Sequence, residues 1–270
     1  MPLLLQKGHT VRALARSAAK AHRLFPTGTE IVECDLLTTT TDELAAHLAG
    51  CDTVAHIATA IPRDFTVPNA WEANTRLRTD GVRVLLAATL QAGVRRYLQQ
   101  SITMAYADHG DDWITEATPL DTGPERARTG SPVIAMEQMV QANPPEKLEW
   151  CILRGANFVG KDTHQDTVME GLRLGQETVP CDGRNFVSLI HVMDMATAVV
   201  AAGERAPAGS VFNITAEPIR YGDYLDRLAD SIGAARPKRD NSAPCPPSWR
   251  CSNQAAKDQL GWQPAHSLFP

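Results

Sequence analysis

The chain has 270 residues, 43% of them hydrophobic and 21% charged, and a formal net charge of −5. That length suits one large globular domain, or a main domain with a smaller lobe. The acidic balance gives no basic footprint for nucleic acid or an anionic membrane, and no apolar run nears the ~20 residues that span a bilayer.

The opening residues, 1–9, read as the end of a helix running into a strand at 10–15. Short β-rich runs predict further strands at 30–34, 53–57, 97–101 and 150–154. Helical patterns lie between them. Thr40-Thr41-Asp42-Glu43 is a capping box: the Thr40 hydroxyl can accept from the Glu43 N–H while the Glu43 carboxylate reaches back. Leu44 and Leu48 then share a face, and Gly50 ends the helix. Leu77, Gly81, Val84, Leu85, Ala88 and Ala92 trace one buried stripe along the next helix.

From about Lys161 the alternation loosens. A helical stretch at 168–174 leads to 185–188, a helix starting near Met193 and a strand at 211–214. The helix after that carries Tyr221, Leu225, Leu228 and Ile232 on its apolar face. Residues 237–247, rich in Pro, Asn and Ser, read as a loop, and Ser252 can cap a last helix ending at Leu260-Gly261. Strand and helix in alternation predict an α/β fold: a Rossmann-like doubly wound parallel sheet with a small C-terminal lobe.

Six cysteines with no C-x-x-C pair, and an N-terminus without the ordered regions of a signal peptide, predict reduced thiols in the cytoplasm. The eight histidines show neither H-x-H nor H-x-x-x-H spacing, so no metal site is expected. No G-x-S-x-G elbow is present, which excludes an α/β-hydrolase.

Several motifs resemble one superfamily in their order and spacing. They are Gly8–Ser17, Cys34-Asp35-Leu36, His56-Ile57-Ala58-Thr59-Ala60, Asn74, Leu153–Gly160, the H-V-x-D of His191–Asp194, and Ser252-Asn253 followed by Leu260-Gly261-Trp262-Gln263-Pro264. Together they resemble the extended or atypical short-chain dehydrogenases/reductases, the NAD-dependent epimerase/dehydratase group. The resemblance implies a dinucleotide-binding domain at 1–160 and mainly a substrate-binding lobe at 161–270, with some segments returning to the main sheet. It also implies cofactor contacts from Arg16, Ser17, Asp35, Leu36, Ala58, Thr59 and Asn74. Alanine at position 15, followed by Arg16, Ser17 and Lys20, suits the 2′-phosphate of NADP better than the free ribose of NAD.

Two departures from that pattern shape the expectations. The usual glycine turn that approaches a pyrophosphate is absent, because no two of the 18 glycines lie closer than four positions. The first strand and its phosphate loop are therefore expected upstream, with Met1 an internal methionine. The family's acid is a tyrosine, with a lysine four residues later. Counting back from Glu137 puts Thr129 and Val133 at those places, and Ile102 falls where a hydroxyl residue is usual. Candidate catalytic groups are then Tyr106, His109, Ser101 and Thr103, with the acidic run 108–112 read as a solvated loop. The resemblance implies an NAD(P)-dependent oxidoreductase or epimerase-like enzyme acting on a small molecule, with a homodimer as the expected assembly. The alternatives are a non-catalytic dinucleotide-sensing regulator and a lyase or cyclase on the same fold.

Overall fold

A computed structural model describes residues 1–62, 64, 67–124 and 128–270. The five expected strands form at Val11–Ala15, Thr29–Glu33, Thr53–His56, Arg96–Ile102 and Glu149–Gly155. The first two pair in parallel as a sheet of their own, Val11 opposite Thr29. A four-stranded sheet runs in the order Ser210–Ile214, Glu149–Gly155, Arg96–Ile102, Thr53–His56, with the last two parallel. Among the described residues, no strand pairs with the second edge of Val11–Ala15 or with the outer edge of Thr53–His56.

The chain divides into two compact units. One comprises Met1–Gln100, Thr122–Ile152 and Ala202–Ser210; the other comprises Ser101–Asp121, Leu153–Ala201 and Val211–Pro270. In the first unit the helix Thr41–Leu48 starts at the capping box: Thr40 Oγ1 accepts from the Glu43 N–H and Glu43 accepts from the Thr40 N–H. Leu44, Ala45 and Leu48 are its buried face.

The long helix expected as one regular stripe is instead three pieces. Glu72–Arg76 and Val82–Gln91 are α-helical, and Leu77–Gly81 between them is a π turn. The wider π turn takes one more residue per revolution and rotates everything beyond it. For that reason Val82, Leu86 and Thr89 join Leu85 and Ala88 on the buried face, while Val84 is only half-buried. The base of this unit is tied by Glu149, which accepts from Arg95 Nη1 at 2.7 Å and Arg96 Nη2 at 2.8 Å; Arg96 also donates to the carbonyl oxygens of Ala202 and Gly203.

In the second unit the helices His164–Arg173 and Tyr221–Ser231 meet over a core of Leu172, Val179, Leu225, Leu228 and Ala229. The loop expected at 237–247 contains a strand, Lys238–Asp240, because Thr178–Pro180 offers it a parallel partner. The expectation of six reduced thiols is also corrected. Cys181 and Cys245 form a disulfide with their Cα atoms 5.0 Å apart, leaving Cys34, Cys51, Cys151 and Cys251 free.

Candidate functional site

In the first unit, the residues expected to meet a dinucleotide follow the C-terminal ends of parallel strands, where α/β sheets place their ligands. Arg16 follows Val11–Ala15; it is exposed and has no side-chain partner among the described residues. Ser17 caps the helix Ala18–Leu24 by accepting from the Lys20 N–H at 3.4 Å. Glu33, which no motif singles out, reaches across to the same helix start and accepts from the Ala18 N–H at 2.8 Å. Asp35 follows Thr29–Glu33 and turns the chain by accepting from the Leu37 N–H.

The π turn and the helix before it brace these loops. A Cβ built on Gly81 would lie 3.6 Å from Leu36 Cβ, ordinary van der Waals contact, so the π turn packs directly against the Asp35–Leu37 turn. Seven residues earlier, Asn74 is buried and accepts from the Ala60 N–H, fixing the loop that carries exposed Ala58 and Thr59. Arg78, between them in sequence, is buried at 7% exposure. Burial lowers its pKa against the opposing charge of Glu137, on the helix Ser131–Gln141, and its own charge acts on His56 at the end of Thr53–His56. Val133, four residues before Glu137 on that helix, is fully buried.

His56 shows the state of this region. Its Nδ1 lies 3.2 Å from Gln99 Oε1, which also accepts from the Tyr97 hydroxyl at 2.9 Å. A carbonyl oxygen only accepts, so His56 carries its proton on Nδ1 and presents Nε2 as an acceptor. Burial, helped by the Arg78 charge, holds the ring below the usual histidine range and hence neutral. Nε2 of His56 and Nη1 of Arg78 are both buried without a partner among the described residues. One open acceptor and one open donor remain at the end of this strand.

The candidate catalytic residues occupy the second unit. Ser101 and Thr103 are both 1% exposed, at the end of Arg96–Ile102 and in the 3₁₀ turn after it. Tyr106 is fully buried. Its hydroxyl donates to Asn213 Oδ1 at 2.8 Å and accepts from Arg154 Nη1 at 2.6 Å. The Arg154 guanidinium also lies over the Tyr106 ring, 5.0 Å from its centroid. Burial outweighs the Arg154 charge and pushes the phenol well above its ordinary range.

His109 is half-buried, its backbone bonded to Ser248 through N–H and to Asp112 through C=O. The acids around it have partners of their own. Asp108 accepts from the Gly110 and Ser248 N–H groups, and Asp111 forms a two-pronged ion pair with Arg220. Among the described residues no helix is long and apolar enough to cross a membrane.

A family model described as "NAD dependent epimerase/dehydratase family" matches residues 1–215. A Streptomyces protein named 3-diazoavenalumate denitrifying reductase is 30% identical over 97% of this chain and 90% of its own length. The 3-beta-hydroxysteroid dehydrogenase of Mycolicibacterium neoaurum is 26% identical over 98% of this chain and 73% of its own. Among solved structures, the dTDP-glucose 4,6-dehydratase of Streptomyces venezuelae with NAD bound superposes with a TM-score of 0.76 at 20% identity. That match covers 98% of this chain and 88% of the dehydratase. It shows the shared Rossmann-like α/β fold.

Proposed function

The chain belongs to the NAD dependent epimerase/dehydratase family, and from that premise we propose that it is an NAD(P)-linked reductase whose acceptor needs no proton from the protein. Its relatives include reductases, dehydrogenases and epimerases. The observation that carries the reading is the state of the acid positions. Thr129 and Val133 stand where a tyrosine and lysine are usual, and the candidate phenol, Tyr106, is buried and held at both its donor and its acceptor side. Reduction of a carbonyl takes up a proton at oxygen, and removing a proton from so buried a phenol is costly. Replacement of N2 by hydride on a diazo arene in its diazonium form, Ar–N2⁺ + H⁻ → Ar–H + N2, takes up none. A diazo carboxylate, the class in the name of the Streptomyces relative, therefore fits this chain better than a ketone.

The residues present fit a dinucleotide. The open acceptor on His56 and the open donor on Arg78 match a group that both donates and accepts, such as a hydroxyl or a carboxamide. Asp35 and Leu36 would hold the adenine side, with Ala58 and Thr59 beneath the centre, in the loop that Asn74 fixes. The exposed, unpaired Arg16 favours the 2′-phosphate of NADP, with Ser17 and the start of the helix Ala18–Leu24 beside it. Glu33 opposes that preference, since its carboxylate already sits on the Ala18 N–H. When bound, the reduced nicotinamide supplies the hydride. The protein's own part is to orient both reactants and exclude water: Tyr106, Asn213 and Arg154 stiffen the substrate side, while Ser101, Thr103 and His109 are polar groups that flank Tyr106 in sequence.

In this reading residues 1–160 are chiefly the dinucleotide domain and 161–270 chiefly the substrate lobe, with 202–210 returning to the first unit. The location is cytoplasmic, where nicotinamide dinucleotides are recycled, and the assembly is a homodimer. The test is turnover of NADPH with a diazo cinnamate-type acid and with a carbonyl panel, each read by absorbance and by product mass. Turnover of the diazo acid with release of N2 is expected. Turnover of carbonyls alone, or NADPH binding with no turnover of either, overturns the proposal.

A further inference from the structure

The second unit contains a covalent link that the proposed reaction does not use. Cys181 follows the strand Thr178–Pro180, and its N–H donates to the Asp240 carbonyl at the end of Lys238–Asp240. Cys245 lies five residues further on, in the run Pro244-Cys245-Pro246-Pro247. Proline has no N–H, so this run offers one backbone donor, that of Cys245 itself. Backbone hydrogen bonds can do little to hold it, and the Cys181–Cys245 bond closes a loop of sequence separation 64 across it.

The residues just beyond that run form a clamp. The Ser248 N–H donates to Asp108 Oδ1 at 3.1 Å, and the Ser248 carbonyl accepts from the His109 N–H at 3.2 Å. Trp249 Nε1 donates to the Tyr106 carbonyl at 3.0 Å. Arg250 lies 4.2 Å over the Trp113 ring, and Arg250-Cys251 pairs in parallel with Trp113-Ile114. Residues 248–251 therefore hold much of the segment 106–114, which contains Tyr106 and His109.

We propose that Cys181–Cys245 is a thiol-exchange site whose oxidised form fixes the 241–251 segment and, through it, the 106–114 segment. Cys245 is exposed and Cys181 is half-buried, so an outside thiolate has access to the Cys245 sulfur. The co-reactant is a dithiol. Its thiolate attacks Cys245 Sγ, the Cys181 thiolate leaves, and the second thiol closes on the mixed disulfide. The dithiol is thereby oxidised to a disulfide, while Cys181 and Cys245 are reduced and gain the two protons. In a reducing compartment a persistent bond of this kind is unusual, whereas a switchable one is the common case. The compartment rests on the cytoplasmic reading above; the exchange chemistry does not.

Differential alkylation with peptide mass spectrometry, before and after treatment with a dithiol, tests the bond. Amide hydrogen exchange on the same samples tests its reach. Untreated protein should yield linked Cys181 and Cys245 peptides with Cys34 and Cys51 free to alkylate. Reduction should speed exchange in 241–251 and 106–114 by roughly tenfold while leaving 96–100 unchanged. Cys181→Ser and Cys245→Ser should each reproduce the reduced pattern. Reduction of the natural chain supplies the same readout if either variant folds poorly. Alkylation of both cysteines in oxidised, unreduced protein overturns the proposal, as does equal exchange of 106–114 in the two states. Neither measurement uses the reductase activity, so failure here and failure of the diazo assay are separate results.

Discussion

Replacing Tyr106 by phenylalanine separates a structural phenol from an acid. The substitution keeps the ring in its fully buried site but deletes a hydroxyl that donates to Asn213 Oδ1 at 2.8 Å and accepts from Arg154 Nη1 at 2.6 Å. Asn213 is 0% exposed and Arg154 5%, so water cannot readily replace what is lost. Arg154 keeps a longer contact to the Glu116 carbonyl at 3.4 Å, which softens its share. Two buried polar groups left short of a partner cost about 1–3 kcal/mol each, so the Tyr106→Phe loss should be about 2–4 kcal/mol. For a chain of this size that lowers Tm by roughly 5–10 °C. At a temperature where the variant is folded, kcat should stay within about threefold of the parent, against the ~10²–10⁴-fold loss of a deleted general acid. Calorimetry and steady-state kinetics on one preparation read both numbers. An unchanged Tm with a hundredfold fall in kcat would instead mark Tyr106 as the acid.

The same geometry sets three further outcomes. Arg16→Ala should weaken NADPH by about tenfold and NADH hardly at all in a fluorescence titration, since only the former carries the 2′-phosphate. Glu33→Gln removes a carboxylate from the Ala18 N–H and should strengthen NADPH by about fivefold in the same titration, with NADH unchanged. Glu149→Gln tests the base of the first unit by chemical denaturation as a function of pH. The guanidinium groups of Arg96 and then Arg95 hold the Glu149 carboxyl below its ordinary 4.5. Its folded-state pKa lies below the unfolded one, so its stabilisation is present above 4.5 and fades as pH falls through the folded value. Discounted for partial exposure, the Glu149→Gln difference should be about 1 kcal/mol at neutral pH and vanish in acid.

Much of the fold was legible because local chemistry and tertiary packing agree. The capping box at Thr40–Glu43 names its own hydrogen bonds, and the β-rich runs of the first half each became a strand within a residue or two. What escaped depends on partners far away in sequence. The π turn at Leu77–Gly81 cannot be seen in the spacing of apolar residues, because that spacing assumes a constant period. Lys238–Asp240 is polar throughout and is a strand only because Thr178–Pro180 lies beside it. Cysteine counting cannot pair Cys181 with Cys245 across 64 residues. The candidate site divides in the same way. Arg16, Asp35 and Asn74 could be found from motif order, whereas Glu33 comes to the helix start only through the pairing of its strand with Val11–Ala15.

The most direct test of a protonless reduction uses NADPH deuterated at the transferable position, with a diazo aromatic acid in ordinary water. A protonless hydride transfer puts one deuterium on the ring carbon that held nitrogen, releases N2 equal to the NADPH consumed, and runs at a rate independent of solvent deuteration. Deuterium absent from the arene, or a rate that falls in heavy water with a proton in flight, would contradict it.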